Sequence, residues 1–338
     1  MSKIQILDCT LRDGGYTNNW QFGRQAILDI KKALEDIGVK FIELGFLREE
    51  EYEENRAIYN SIENISHMIG EKREGTIYGT FIEVANYFPL EKLENRTEKA
   101  PEALRCSLWK RALDDAYEYF TQIKKKGYLL CCQPTRIEQY SEKEFGELCK
   151  RFSELHPYSI YIVDTFGVLD KEALIRYAQI ADENMAPDII LGYHAHDNMG
   201  QAFRNACAFV EQDYGNRIIQ LDASMFGMGR GAGNLRLEQI LEYLNRQFGE
   251  NYDLTPIYKI WDQYLCDALE EHPWGYQLAY FIAAQNACHP NYASYYLRRG
   301  LKAEVISKII SQIRGADKYL YSDIKAEQYI RCSEEITQ

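Results

Sequence analysis

The sequence predicts a closed (β/α)8 barrel followed by a helical extension. Short β-rich runs alternate with longer amphipathic segments eight times between residue 3 and about residue 245. Polar residues of chemical consequence gather just past the ends of those runs, where a barrel of this kind places its working groups. An open doubly wound sheet is the rival, and it more often follows its first strand with a Gly-x-Gly-x-x-Gly turn. Here the first run is followed by Cys9-Thr10-Leu11-Arg12-Asp13-Gly14-Gly15-Tyr16, which lacks that spacing.

In chain order the expected strands are Ile4–Asp8, Lys40–Gly45, Thr76–Ile82, Ala103–Ser107, Tyr128–Gln133, Ser159–Asp164, Ile189–Ala195 and Ile218–Asp222. Helical patterns lie between them at Gln25–Ile37, Lys110–Lys126, Glu142–Leu155, Lys171–Glu183 and Gln201–Gln212, with two more expected around Glu50–Glu63 and Leu90–Lys99. Each shows apolar residues three and four apart, as in Ile27, Ile30, Leu34 and Ile37. After about residue 250 the β runs stop and aromatic-rich helical sequence takes over. The expected division is therefore a barrel over residues 1–248 and a helical extension over 249–338.

Composition narrows the function classes. The 338 residues are 46% hydrophobic and 27% charged, which suits a globular chain. No apolar run reaches about 18 residues, so no membrane partner is expected, and the first residues do not read as a signal peptide. The expected location is cytoplasmic. The nine cysteines include no Cys-x-x-Cys pair, and most of them read as small buried hydrophobes; adjacent Cys131 and Cys132 would face opposite sides of a strand. A formal charge of −12 argues against nucleic-acid partners, although a local arginine cluster or a metal could still hold a small anion.

The stretch Ile189 to Asn198 ends a strand with His194 and His196, two residues apart and so on one face. Paired imidazoles at a strand end can ligate a divalent ion; alone, the pair could equally be structural. The other strand ends offer Asp8 and the Arg12-Asp13 pair, Glu43, Asp164-Thr165, and the glycine loop Gly227-Met228-Gly229-Arg230-Gly231-Ala232-Gly233-Asn234. Mixed oxygen and nitrogen ligands suit Mn²⁺ or Mg²⁺ better than a closed zinc site. Asp8 and Asp164 are expected to hold loop amides, Asp197 and Asn198 to cap or brace, Cys9 to pack, and His67 and His156 to lie at the surface.

The Asp-x-Thr-Leu-Arg-Asp-Gly opening, the later His-x-His-x-Asn and the Gly-x-Gly-x-x-x-Gly-Asn loop together resemble the DRE-TIM metallolyases, a superfamily of TIM barrels that includes 4-hydroxy-2-oxovalerate aldolase, 3-hydroxy-3-methylglutaryl-CoA lyase, isopropylmalate synthase and homocitrate synthase. The resemblance implies a Mn²⁺ or Mg²⁺ ion on Asp13, His194 and His196, joined by Asn234 in several members. It implies carbon–carbon cleavage or formation through a metal-bound enolate of pyruvate or a related 2-oxo acid, with Arg12 stabilising the enolate. Glu43 could orient a water or proton, and Thr165, Gly229 and Gly231 could bind substrate. Tyr276 loosely matches a Gly-Tyr that covers the site in the aldolases. Relatives are often homodimers or pair with an aldehyde-handling dehydrogenase.

One departure concerns the base. The aldolases carry a His three residues after the metal Asp, where this chain has Tyr16, a poor base at neutral pH. His289, in Cys288-His289-Pro290-Asn291-Tyr292, could fold over the barrel mouth instead. The expected activity is that of a metal-dependent aldolase acting on a 2-oxo acid and an aldehyde. The alternatives are a Claisen-type acyl transferase using acetyl-CoA, a barrel that has lost catalysis and serves as a scaffold, and, least favoured, an amidohydrolase, which normally carries His-x-His on its first strand.

Overall fold

A computed structural model describes residues 4–335. Nine strands form one parallel sheet: β1 (Ile4–Asp8), β2 (Phe41–Leu47), β3 (Ile58–Tyr59), β4 (Ile77–Ile82), β5 (Ala103–Leu108), β6 (Leu129–Pro134), β7 (Ser159–Asp164), β8 (Ile190–Ala195) and β9 (Ile219–Ala223). Eight of them close into a barrel, because β1 pairs with both β9 and β2. The two-residue β3 is a spur beside β2. All eight expected barrel strands are present, displaced at their ends by two residues or fewer.

The barrel interior explains several residues that look odd in the sequence. At its lower end Leu7, Cys9, Phe41, Ala103 and Cys131 form a small apolar plug, while Cys132 joins the main core outside the barrel. A Cβ on Gly79 would meet the Phe41 ring at 2.4 Å, and one on Gly192 would meet Tyr161 at 2.4 Å. Those glycines make room for large rings inside a narrow cylinder.

Above the plug the interior is ionic. Arg105 of β5 is fully buried, with its guanidinium between Glu43 of β2 (2.9 Å) and Asp222 of β9. The Arg105 side chain also lies over the Tyr161 ring at 4.9 Å.

Helices Arg24–Ile37, Ile62–Ile69, Leu113–Lys125, Glu142–Ser153, Lys171–Asn184, Ala202–Val210 and Leu237–Phe248 surround the barrel. Two expected helices are absent. Residues 50–61 are extended and irregular, because Ala57, Ile58 and Tyr59 are buried in succession and bond as a strand: Ala57 N–H donates to Trp20 and its carbonyl accepts from Phe46. Three consecutive buried residues cannot share one helical face. Residues 90–99 form a turn and loop pinned by Phe88 and Leu93, with loop carbonyls accepting from Tyr119, Lys126 and Tyr128 side chains. With few apolar residues to bury, a helix there would have had little to pack.

Beyond Gly249 a run of helical turns from Thr255 to Glu271 is followed by Leu278–Gln285, Pro290–Arg298, Ala303–Ile310 and Asp323–Glu335. The last four build their own apolar cluster around Tyr292, Tyr296, Ile306 and Ile310, which Ala232 of the glycine loop also enters. Trp274 donates its indole N–H to Phe226 and ties the extension to the same loop. Among the described residues, no helix is long and apolar enough to cross a membrane.

Removing Arg105 takes one of two arginines from Glu43 and the only arginine from Asp222, and breaking a buried pair typically costs about 3–5 kcal/mol. Arg105→Met is expected to lose stability on that scale in urea unfolding. Adding Glu43→Gln and Asp222→Asn should recover part of the loss, and a neutral single substitution would show that the ionic layer is not structural.

Candidate active site at the barrel mouth

The chain after β1 makes one turn of π-helix over Thr10–Gly14, with the N–H groups of Arg12, Asp13 and Gly14 converging on the Cys9 carbonyl. Asp8 starts this turn by accepting from the Thr10 amide and hydroxyl. Trp20 closes it by donating its indole N–H to the Arg12 carbonyl at 2.7 Å. A Cβ on Gly15 would lie 1.9 Å from that indole, so glycine is what lets Trp20 approach.

The turn aims Arg12 and Asp13 into the mouth, both buried. Arg12 donates Nε–H to Glu43 at 2.7 Å and Nη1–H to Asp13 Oδ1 at 2.6 Å, and lies over the Phe81 ring. Burial works against an Asp13 anion, but Arg12, His196, His194 and Arg230 outweigh it and hold the carboxyl well below its usual range. Burial would weaken the Arg12 cation, yet Glu43 and Asp13 push its pKa upward.

His194 and His196 leave the end of β8 with rings nearly perpendicular, centroids 5.1 Å apart. His194 Nδ1 is 2.8 Å from Asp222 Oδ2. Asp222 is an anion, its pKa lowered by Arg105 and His194 against the cost of burial, so the imidazole is the donor and its Nε2 keeps a free lone pair. His196 is held neutral: burial drives its pKa down to about 3, with Arg230, His194 and Arg12 adding to the effect against Asp13.

Asp13, His194 and His196 bring one ligand atom each to within 4.8 Å of one another. Asp13 Oδ2 and His196 Nδ1 face each other at 3.8 Å, both buried and neither hydrogen-bonded. Two such acceptors turned toward a common gap fit a cation. Asn234 lies beside His196 through a backbone bridge; its amide N–H bonds to the Met228 carbonyl at 3.2 Å, and its Oδ1 is buried without a partner. The donor set therefore fits the expected divalent ion.

A cavity of about 690 Å³, counted to its open mouth, rises from this cluster and is lined by Arg12, Tyr16, Thr165, Arg230 and His289 among others. Tyr16 packs edge-on against Trp20, under the guanidinium of Arg230 at 5.1 Å; burial pushes its phenol up to about 12. Thr165 Oγ1 accepts from the Arg136 amide at 2.8 Å, leaving its own proton free to donate. His289 is the extension's contribution. Its Nδ1 accepts from the Asn291 amide, and burial with Arg230 and Arg136 nearby depresses its pKa strongly. The ring is therefore neutral with its proton on Nε2, a hydrogen-bond donor.

Other expected residues lie elsewhere. Tyr276 is 58% exposed and lines neither this cavity nor its neighbour, so His289 rather than Tyr276 reaches the site from the extension. Gly229 and Gly231 line the adjoining cavity toward the extension. Their loop is folded on itself: Asn234 N–H donates to the Gly227 carbonyl, and a Cβ on Gly233 would lie 2.0 Å from that oxygen. Glu43 lies beneath the cavity, locked by two arginines. Asp164 accepts from the Val168 and Leu169 amides, Asp197 from Ala202, and Asn198 bridges Phe166 to Ala232, all bracing the loops as expected. The site residues not singled out from sequence are Arg105, Asp222 in its role behind His194, Arg136 and Arg230.

The HMGL-like family model matches residues 3–263. Similar curated proteins include 4-hydroxy-2-oxovalerate aldolases from Geobacillus genomosp. 3, 24% identical over 80% of this chain and 79% of the relative, and from Moorella thermoacetica, 25% identical over 72% and 70%. Among solved structures, the N-terminal domain of a proposed aldolase from Bacteroides vulgatus superimposes with a TM-score of 0.73 at 22% identity, covering 88% of this chain and all of that one. The carboxyl transferase domain of Rhizobium etli pyruvate carboxylase (Y628A, with pyruvate) gives 0.73 at 14% identity, covering 99% and 62%. With more than half of its length matched, the chain belongs to the HMGL-like family.

Proposed function

We propose that the protein is a divalent-metal-dependent aldolase that cleaves or forms a carbon–carbon bond beside the carbonyl of a 2-oxo acid, with pyruvate or a close relative as the retained half. The observation that carries this reading is the pair of unpartnered acceptors, Asp13 Oδ2 and His196 Nδ1, next to an immobilised Arg12. Relatives named 4-hydroxy-2-oxovalerate aldolase support it over most of the chain.

In the cleavage direction, the 4-hydroxyl of the substrate loses its proton and the C3–C4 bond breaks to release an aldehyde. The bond electrons pass through C2 to its oxygen, giving the enolate of pyruvate, which then takes a proton at C3. Mn²⁺ or Mg²⁺, held by Asp13, His194 and His196 with Asn234 adjacent, would supply Lewis acidity toward the 2-oxo acid oxygens. Arg12 holds a permanent positive charge beside the oxygen that becomes negative, and its two carboxylate partners fix it in place before the reaction. Asp222 keeps the His194 lone pair turned toward the cluster.

Tyr16 sits where the aldolases carry their base. With a phenol near 12, it acts most readily as a proton donor to the alkoxide in the condensation direction, and Arg230 over its ring favours the phenolate needed for the reverse. Neutral His289 offers Nε2–H to polarise a carbonyl, and Thr165 offers a hydroxyl proton to the same space.

Exchange of the pyruvate methyl protons with deuterated solvent tests the reading without a second substrate. The wild type with Mn²⁺ should exchange, and chelator-stripped protein should not until Mn²⁺ is restored. Asp13→Asn and His194→Gln are expected to lose both Mn²⁺ binding by calorimetry and exchange. Arg12→Lys should keep Mn²⁺ and lose about 10²–10³-fold in exchange rate. Undiminished exchange in stripped protein would overturn the proposal.

A further inference from the structure

The cavity carries more positive charge than a 2-oxo acid needs. Arg136 and Arg230 both line it, and among the described residues neither has a carboxylate partner. This is unusual in a chain of net charge −12, where Arg12, Arg48, Arg105 and Arg217 are all ion-paired. Glu83, the other acid in the lining besides Asp13, is taken by Arg48 at 3.1 Å. Glu138, two residues from Arg136, attracts it but forms no ion pair with it. Both its oxygens are buried without partners, and burial pushes its pKa up to about 8.

The two cations line different sides of the cavity. Arg230 lies over the Tyr16 ring at 5.1 Å and also lines the adjoining cavity toward the extension. Arg136 also lines a surface hollow on the other side, with Trp109, Arg111 and Gln139. Its guanidinium lies 5.3 Å from the Trp109 ring centre, and that of Arg111 lies 4.4 Å from the same ring. The backbone of Arg136 is left-handed (φ 63°, ψ 58°), a costly conformation for a residue with a side chain, and the Thr165 hydroxyl bonded to its amide holds it there. Arg111 likewise lacks a carboxylate partner among the described residues. A strained backbone thus presents a half-buried guanidinium without an ion pair to the outer part of the cavity, with a second one against the same indole.

We propose that the aldehyde partner carries its own anionic group, a carboxylate or a phosphate, bound by Arg136 beside Trp109 at the outer end of the cavity. The inference rests on the aldolase reading and deepens it: the acceptor is an anionic aldehyde, unlike the neutral one released from 4-hydroxy-2-oxovalerate. In the bond-forming step, C3 of the pyruvate enolate attacks the aldehyde carbon. The carbonyl π electrons move to oxygen, which takes a proton, while the anionic group stays outside the reaction as an anchor.

The test compares kcat/KM for condensation of pyruvate with acetaldehyde and propanal, with glyoxylate and succinic semialdehyde, and with glyceraldehyde 3-phosphate. Wild type should favour a carboxylate or phosphate aldehyde by at least about tenfold over the neutral ones, and whichever arm leads names the group. Arg136→Gln should collapse that ratio at least about tenfold, and Arg136→Lys should keep part of it. A merely structural loss lowers both classes alike and leaves the ratio intact. An intact ratio, or equal use of neutral aldehydes by wild type, overturns the inference. Pyruvate proton exchange in the same wild-type preparation reports on the aldolase reading separately. If exchange is absent, calorimetry with inorganic phosphate and with succinate decides the anion site: binding lost in Arg136→Gln supports it, and no binding to wild type overturns it.

Discussion

The structure depends on a chain of alternating charges drawn across the inside of a closed cylinder. From Asp13 it runs through Arg12, Glu43 and Arg105 to Asp222, which accepts from His194, joining the loop after β1 to β2, β5, β9 and β8 by contacts of 2.6 to 2.9 Å and one shorter pair. Such a layer is costly, since each ion gives up water, and it persists only where every charge finds an opposite one. What it supplies is position: the guanidinium and one imidazole at the mouth are set by groups that cannot move without stranding a charge.

The same chain explains why the mouth can be both rigid and reactive. Its two ends open on the mouth. Asp13 has one oxygen bound by Arg12 and one left without a partner, and His194 has one nitrogen bound by Asp222 and one left free. Each charge inside the chain has an opposite one beside it, and at the mouth Asp13 and His194 are left where a cation and a 2-oxo acid could complete them. The extension contributes from above, through His289, without joining the chain.

Much of the barrel was legible in the sequence because period-two and period-3.6 patterns are local. The i, i+2 spacing of His194 and His196 at a strand end was enough to place them together, and the Arg12-Asp13 pair was marked by its glycine-rich turn. Arg105 was not legible: in Ala-Leu-Arg-Cys-Ser it is one polar residue in an apolar run, and its partner Asp222 lies 117 residues away, adjacent only once the ring closes. The helices expected near residues 50 and 90 failed for a related reason. Their charged residues favour a helix locally, but at 57–59 three successive side chains are buried, and around 90 there is little apolar surface to bury. Tyr276 was placed by motif likeness alone, and a residue beyond the barrel has no strand to fix where its side chain points.

The π-helical turn after β1 has a consequence for how the mouth can vary. It sets Arg12 and Asp13 side by side in sequence while sending one toward Glu43 and the other toward the histidines. An insertion or deletion of one residue in that loop would shift the guanidinium and the carboxylate together. In the proposed reaction the groups for the cation and for the developing oxyanion would thus be inherited as a unit, and specificity would be left to the loops that bring Arg136, Arg230 and His289 to the cavity.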